Sequence, residues 1–154
     1  MTARIGDFLP WIGVWAGMGE TQAGQPCYIR NRFYLDLDGQ GLGMHFEAWD
    51  TGMTTLYHGV RSMLAAAPSG ILRALAYSTV QGPLILDLTE DDEGVMALSG
   101  ENLLGHRISV TFLQESPEQL LFTAFWRPSH APRTEGSSMT CRLTRSLPWQ
   151  PPQA

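Results

Sequence analysis

The sequence predicts an all-β protein, a single domain folded as a ten-stranded antiparallel barrel. Short segments rich in aromatic and β-branched residues recur along the 154 residues, and Gly, Pro, Asp and Ser separate them. No long segment between them shows the periodicity of an amphipathic helix. Ten antiparallel strands in one open sheet would leave exposed edges, so we expect the sheet to close into a barrel.

Ten strands are predicted in chain order, and turn residues separate most of them. Gly, Pro and Asp at these turns either tolerate an unusual φ or fix φ at the value that a tight turn needs. The turns are Gly39–Gly41, Asp50–Gly52, Pro68–Gly70, Gln81–Pro83, Asp92–Gly94 and Ser116–Glu118. The predicted strands are 11–20, 25–37, 42–50, 53–64, 71–80, 83–89, 95–101, 106–115, 119–127 and 138–145.

Alternation of apolar and polar residues supports individual strands. Ile108 and Val110 share one face of the eighth strand, whereas Thr111 lies on the other. The last strand alternates in the same way and separates Cys141 from Arg142. A period of two places one row inside the barrel and one row outside.

Three segments depart from this pattern. Segment 61–77 carries helix-favouring Ala and Leu, but the turn at 68–70 divides it, so two strands are predicted there. Residues 1–10 are expected to form an N-terminal lid, with a short helix from about Arg4 to Leu9. The Pro-rich residues 147–154 are expected to form a tail without regular structure.

Composition excludes several classes of protein. The chain has 10 basic and 15 acidic residues, a net charge of -5, and so lacks the basic surface that nucleic-acid binding requires. With 44% hydrophobic and 16% charged residues, it does not have the composition of a disordered chain. Asp7, Pro10 and several glycines interrupt the apolar start, which therefore does not resemble a secretory signal, and no run is long enough for a membrane span. Two cysteines without C-x-x-C spacing favour reduced thiols and a cytoplasmic location.

The first predicted strand carries the pattern G-x-W-x-G-x-G at Gly13, Trp15, Gly17 and Gly19. This pattern resembles the opening strand of the calycins, and in its fuller form that of the nitrobindins, ferric-haem-binding relatives of the fatty-acid-binding proteins. The resemblance implies a calycin-type barrel of the lipocalin and fatty-acid-binding-protein kind, in which an arginine from a late strand packs over the tryptophan. Arg142 is the candidate for that cation–π contact.

Two functions follow from this resemblance. The first is non-enzymatic binding of a small hydrophobic ligand inside the barrel, a function that needs no cofactor. The alternative is haem binding with peroxynitrite or nitric-oxide chemistry. Nitrobindins hold haem iron through a histidine after the last strand, but residues 147–154 contain no histidine. His130, earlier in the chain, is the candidate for a relocated axial ligand over the barrel mouth. A small isomerase or hydrolase is a third interpretation, since a barrel does not determine function.

A metal site is a further hypothesis, carried by the third and fourth strands. If the hairpin loop contains only Thr51 and Gly52, His45 lies opposite His58, with Glu47 on the same face. Two imidazoles and a carboxylate form a recognised ligand set for a divalent metal. A different register removes this cluster, and His45 and Glu47 are then polar residues of the outer surface.

The second strand raises a similar choice between inside and outside. Arg30 and Arg32 share a face with two tyrosines, and this face is predicted to point outward because the alternating row, with Ile29 and Phe33, is apolar. Leu35 is assigned to the same inner row.

Several apolar side chains are predicted to contact the ligand, with an arginine or histidine near the mouth for its polar group. Flexible methionines and flat aromatic rings suit an irregular apolar ligand, and they suit a simple core equally well. The predicted ligand-binding residues are Met44, Phe46, Met63, Tyr77, Trp126 and Arg142. No G-x-S-x-G, Walker A or H-E-x-x-H motif is present, so an enzyme is the less favoured interpretation. The expected partner is a small apolar molecule, with homodimerisation as an additional hypothesis.

Overall fold

Ten antiparallel strands form a closed barrel within the residues described by this computed structural model, which are 3–21, 23–132 and 136–146. Each strand pairs with its neighbours in the chain, and β1 pairs with β10 to complete the ring. The predicted fold class is thus confirmed. The strands are β1 Gly13–Glu20, β2 Pro26–Asp36, β3 Gly41–Trp49, β4 Leu56–Ala66, β5 Leu72–Ser78, β6 Gly82–Glu90, β7 Met96–Glu101, β8 His106–Ser116, β9 Gln119–Pro128 and β10 Ser137–Arg145.

The helix-favouring segment 61–77 forms strands, as predicted. β4 and β5 pair from Val60↔Ser78 to Ala66↔Leu72, with the turn at 67–71 between them. Their inward side chains complete the core on this side of the barrel, so tertiary packing outweighs the local preference for helix.

A 3-10 helix, Ile5–Trp11, packs against one end of the barrel, in the segment where a lid with a short helix was expected. Phe8 and Trp11 are buried, and the Trp11 ring lies 5.6 Å from that of Phe33 and 5.5 Å from that of Phe112. Aromatic contacts of this kind bury a large apolar area. They fill this end of the barrel, which we call the closed end. The predicted tail, 147–154, lies outside the described residues.

An arginine does pack over Trp15, but it is Arg145, and the prediction of Arg142 was wrong. The Arg145 guanidinium lies 4.2 Å from the centre of the Trp15 ring, and its Nη1 donates to the carbonyl of Ile12 at 2.9 Å. Arg142 is on the outer face, where it forms an ion pair with Glu115 at 2.6 Å. Since side chains alternate along β10, Arg145 shares the inward row of Cys141, whereas Arg142 cannot.

The glycines of β1 allow neighbouring groups to approach the strand closely. A Cβ atom at Gly17 would lie 2.5 Å from the carbonyl oxygen of Arg142 on β10. Gly13 has a φ of +131°, which side-chain-bearing residues rarely adopt. The glycine pattern is therefore needed for the β1–β10 pairing that closes the barrel.

The β3–β4 hairpin has a longer loop than predicted, and this changes the register. The Asp50 carboxylate accepts the N–H of Thr54 at 2.6 Å and that of Thr55 at 2.7 Å, which holds a loop from 50 to 55. His45 consequently pairs with Arg61, and His58 pairs with Ala48. The expected juxtaposition of His45 and His58 was wrong.

Candidate functional site

The barrel encloses a cavity of about 430 Å³. It opens at the end opposite the 3-10 helix, where Thr21, Gln25, Tyr57 and Gln81 belong to the strand connections or lie beside them. We call this end the mouth. Aromatic rings form much of the wall: Phe33, Phe46, Phe112, Phe122, Phe125 and Trp126. A cavity of this size and lining is typical of a small-molecule site.

Two phenylalanines cross the lumen and shape it. The Phe46 ring stacks on that of Phe122 at 5.2 Å between centres, and Phe122 lies 5.5 Å from Phe112. β3 thereby contacts β9 on the opposite wall. Such contacts favour flat, apolar occupants beside the rings.

No Asp, Glu, Lys or Arg side chain belongs to the cavity lining among the described residues. An ion placed there would lose its hydration without gaining a counterion, at a cost of several kcal/mol. The lumen therefore selects against charged groups.

Asn31 is one of the polar side chains in this largely apolar wall. It lies on β2 in the inward row between Ile29 and Phe33, and it is only 3% exposed. Both Nδ2 and Oδ1 are buried and have no hydrogen-bond partner. A buried amide without partners costs about 1–3 kcal/mol for each unsatisfied group, so this position calls for a partner that the chain does not supply.

His58 and Ser78 form a second polar group in the lining. Ser78 Oγ accepts the N–H of Val80 at 3.2 Å and that of Gln81 at 3.0 Å, and it lies 2.7 Å from Nε2 of His58. An oxygen that accepts two N–H groups has used both lone pairs, so its own proton is donated to Nε2.

The state of the His58 ring follows from this contact. With Nε2 accepting, the neutral imidazole carries its proton on Nδ1 and offers a donor there. Burial lowers the pKa of His58 below its usual value, which keeps the ring neutral at neutral pH.

Trp126 adds a further donor to the wall. Its Nε1 is buried without a partner, and its ring contacts that of His106 at 4.9 Å between centres. The backbone N–H of His106 donates to Oδ1 of the Asn102 side chain at 2.9 Å. This hydrogen bond supports the position of Trp126 near the mouth.

The other members of the predicted metal cluster belong to the row of β3 that alternates with the inward Met44 and Phe46, and His45 also borders the cavity. Glu47 forms ion pairs with Arg30 at 2.7 Å and Arg61 at 3.5 Å, and His45 Nε2 lies 3.0 Å from the hydroxyl of Tyr34. Burial raises the pKa of Glu47, but the hydrogen bonds and charges of the two arginines together outweigh it and lower the pKa below its usual value. In the part of the chain that the structure describes, no three His, Cys, Asp or Glu side chains are grouped to hold a metal ion.

The arginine row of β2 points outward, as predicted. Arg30 pairs with Glu47, and the Arg32 guanidinium lies 4.8 Å from the centre of the Tyr34 ring. Ile29 and Phe33 are buried inside, whereas Leu35, expected in the same row, is 42% exposed near the closed end.

Three of the six predicted ligand-binding residues line the cavity and three do not. Met44, Phe46 and Trp126 are in the lining. Tyr77 is 61% exposed. Met63 lies outside the lining, because it alternates along β4 with the inward Ser62. Arg142 is on the outer face, where it pairs with Glu115. Ligand contacts of the first three remain predictions.

Neither His130 nor His58 is placed to hold haem iron without a rearrangement. His130 is exposed in the connection between β9 and β10 and is not part of the lining. Iron could bind Nε2 of His58 only if its hydrogen bond to Ser78 were broken. Neither His58 nor His130 is therefore a prepared axial ligand for haem.

The two thiols are buried and unreactive in character. Burial, together with the neighbouring Cys27, raises the pKa of Cys141 to about 11, and its Sγ lies 3.2 Å from the carbonyl oxygen of Met18. Burial also raises the pKa of Cys27. Neither group is a thiolate at neutral pH, so neither is poised as a nucleophile.

Sequence reasoning missed Asn31 and Ser78. Asn31 alternates with the two arginines that were assigned to the outer face, so the same alternation indicates that it points inward. No comparable signal exists for Ser78, because its role depends on His58 of a neighbouring strand and on the turn that follows.

Comparison with known structures shows a shared barrel fold. The crystal structure of Rv2717c from M. tuberculosis matches with a TM-score of 0.69 and 14% sequence identity, over 96% of this chain and 100% of that one. A de novo designed fluorescence-activating barrel matches with a TM-score of 0.44 at 10% identity, over 88% of this chain and 93% of that one. The structure of EF1p2_mFAP2b bound to DFHBI matches with a TM-score of 0.47 at 11% identity, over 95% of this chain and 100% of that one. No protein-family model and no curated protein matches the chain.

None of the helices in the described residues has the length and apolar character to cross a bilayer.

Proposed function

We propose that this protein binds a small, predominantly apolar molecule inside the barrel and does not transform it. The observation that carries the proposal is the cavity of about 430 Å³, which has an aromatic wall and no Asp, Glu, Lys or Arg in its described lining. Sites for small molecules commonly measure about 300–1,000 Å³ and combine apolar walls with a few polar groups. Asn31, His58 and Trp126 are such groups here.

We further propose that the barrel is of the calycin type. The support is the G-x-W pattern at Gly13 and Trp15, together with Arg145 from the last strand over the Trp15 ring. The Trp15 indole N–H also donates to the carbonyl of Trp11 at 2.8 Å, so the tryptophan joins the helix at the closed end to the wall.

The polar groups support binding more than hydrolysis. Ser78 and His58 are at hydrogen-bond distance, as in a nucleophile–base pair, but both lone pairs of Ser78 Oγ are occupied by backbone N–H groups. An oxygen in this state is not available to attack a carbonyl. The lining also contains no carboxylate to act with His58, in the part of the cavity wall that the structure describes.

The alternative from the family resemblance is haem binding. It requires an axial ligand, and His58 Nε2 is already engaged by Ser78, while His130 is exposed outside the lining. Binding of an apolar molecule needs no such rearrangement, and for this reason it is the function proposed.

Titration with Nile red, an uncharged dye whose emission shifts in apolar surroundings, tests the proposal. We expect saturation at one dye per chain. Val110→Trp places an indole in the lumen and should weaken binding at least about tenfold, because the new ring occupies the cavity. Ile85→Trp adds the same ring on the exposed outer face of β6 and serves as the control.

The proposal fails if Nile red does not bind, or if Val110→Trp and Ile85→Trp bind it equally. Ala124→Leu, at the position paired with Val110, is a smaller obstruction for use if Val110→Trp does not fold. Titration with ferric haem separates the alternative, which requires a saturable Soret shift at one haem per chain that is lost in His58→Ala or His130→Ala.

A further inference from the structure

The deep part of the cavity contains a group that the chain leaves unsatisfied. Asn31 lies five residues into β2 from the mouth, beside Phe46 of β3 and Trp15 of β1 in the strand pairing. Trp15 is fully buried. A molecule that enters at the mouth meets His58 and Trp126 first and reaches Asn31 at greater depth.

A single chemical group can satisfy both atoms of the Asn31 amide. Oδ1 needs a donor and Nδ2 needs an acceptor, and the two atoms sit side by side on one planar group. A lactam, an imide or a carboxamide presents the complementary pair, an N–H next to a carbonyl. Two parallel hydrogen bonds then form in one plane, as in an amide dimer.

The rest of the lining narrows the class of ligand. A carboxylate would have acceptors only and would lie in a lumen without Lys or Arg in its described wall. A cation would find no carboxylate there. His58 Nδ1 and Trp126 Nε1 are both N–H donors, so the surroundings favour a ligand that carries additional carbonyl or ether oxygens.

We propose that the ligand of this barrel is an uncharged compound with an amide-type group, in which N–H and C=O are adjacent, and that Asn31 recognises this group. The inference rests on the proposed function, since it names the class of molecule bound in the same cavity. Asn31 is then a specificity-determining residue, and the aromatic wall contacts the apolar body of the ligand.

A pair of nearly identical probes tests the inference. 2-Quinolinone is a lactam with adjacent N–H and C=O, and coumarin is its lactone counterpart, with the same shape and carbonyl but no N–H. We expect 2-quinolinone to bind the wild-type protein about tenfold more tightly than coumarin, because only the lactam satisfies Oδ1 of Asn31. 2-Naphthoate, a flat carboxylate, should bind more weakly than either. Competition with Nile red measures all three.

Variants connect the preference to Asn31. Asn31→Leu keeps a similar volume and removes both polar atoms, so the two probes should bind with nearly equal affinity. The same variant should unfold at a higher temperature than wild type without ligand, because the unpaired amide is gone. Ser62→Ala is the matched control: it removes a lumen hydroxyl that contacts the Met44 carbonyl at 3.4 Å, and the preference for the lactam should remain.

Several outcomes would overturn the inference. Equal binding of 2-quinolinone and coumarin by the wild-type protein, or a preference that persists in Asn31→Leu, would mean that ordered water or the chain itself satisfies Asn31. The wild-type comparison needs no variant, so it decides the matter even if Asn31→Leu does not fold. If Nile red binds in the lumen while the two probes are not distinguished, only this inference fails. If Nile red does not bind, the proposed function fails with it.

Discussion

Arg145 and Arg142, three residues apart on β10, have different roles because of the face that each occupies. Arg145 covers the Trp15 ring and donates to the carbonyls of Pro10 and Ile12, so it joins β10, β1 and the N-terminal helix. Arg142 forms an exposed ion pair with Glu115. A cation over an indole is stabilised more when it is shielded from water, whereas an exposed ion pair contributes little.

We predict that Arg145→Ala lowers the free energy of unfolding by about 2–3 kcal/mol, through loss of the cation–π contact and of the charged hydrogen bonds to the helix. Urea denaturation followed by tryptophan fluorescence measures the change. Arg142→Ala is the matched control and should alter stability only slightly. Equal effects of the two substitutions would show that Arg145 does not hold the closed end.

Closure of the barrel is decided at the level of the strands, by the close approach of β1 to β10. Gly17 allows this approach, because a Cβ there would lie 2.5 Å from the backbone oxygen of Arg142 and 3.1 Å from Sγ of Cys141. A backbone atom within a paired strand cannot move aside without disturbing the pairing. At Gly52, by contrast, an added Cβ would meet only the Asp50 carboxylate, at 3.5 Å.

We predict that Gly17→Ala destabilises the barrel by about 1–3 kcal/mol, the usual cost of overpacking. It should also increase amide hydrogen exchange in β1 and β10 before the other strands, because the ring opens at this pairing. Gly52→Ala in the β3–β4 loop is the control. Wild-type exchange rates in β1 and β10 of Gly17→Ala would contradict this account of closure.

The β3–β4 hairpin shows how one loop decides the neighbourhood of several side chains. Asp50 accepts three hydrogen bonds from Thr54 and Thr55, and these hold a longer loop than the Thr51-Gly52 turn. In the resulting register, His58 faces the lumen and Ser78, while Glu47 faces outward between two arginines. A metal-ligand set in the sequence is thus divided between the two faces of the wall.

For the molecule as a whole, enclosure of a neutral histidine makes stability depend on pH. Burial lowers the pKa of His58 below its usual value of 6.5. It also lowers that of His45, with Arg61 and Arg32 acting in the same direction. Above the usual pKa of 6.5, both rings are neutral in the folded and in the unfolded chain, so they do not reduce the free energy of unfolding. As pH falls below this pKa, the unfolded chain binds protons first, and the folded state loses stability.

We predict that the free energy of unfolding decreases from about pH 7.5 to about pH 5.5, and that His58→Gln reduces this decrease. Glu47 and Glu115 have lowered pKa values because of their arginine partners, so their contribution is lost only at more acid pH. His130→Gln, which removes an exposed imidazole outside the lumen, is the control. An unchanged pH dependence in His58→Gln would show that His58 is not held neutral by burial.

The homodimer considered from the sequence remains a prediction.

The amino-acid sequence by itself determined the class of fold and the order of its elements. Period-two alternation and turn residues are local signals, so they were sufficient for ten strands in nearly the observed ranges and for the outward arginine row of β2. Closure also followed, because ten antiparallel strands need a partner for each edge. The same alternation points to Asn31 and to Arg145, so these two positions were accessible to sequence reasoning although it did not select them.

Only the tertiary structure decided which residues meet inside the barrel. The contact between His58 and Ser78, 20 residues apart in the chain, depends on the register of β4 with β5, whereas the neighbours of His58 on β3 depend on the loop that the hydrogen bonds of Asp50 hold. Whether the Asn31 amide has hydrogen-bond partners depends on all the strands around it, because it is unsatisfied only when no group from any of them reaches it. Such relations are set by three-dimensional packing, whereas period and turn chemistry are encoded locally along the chain.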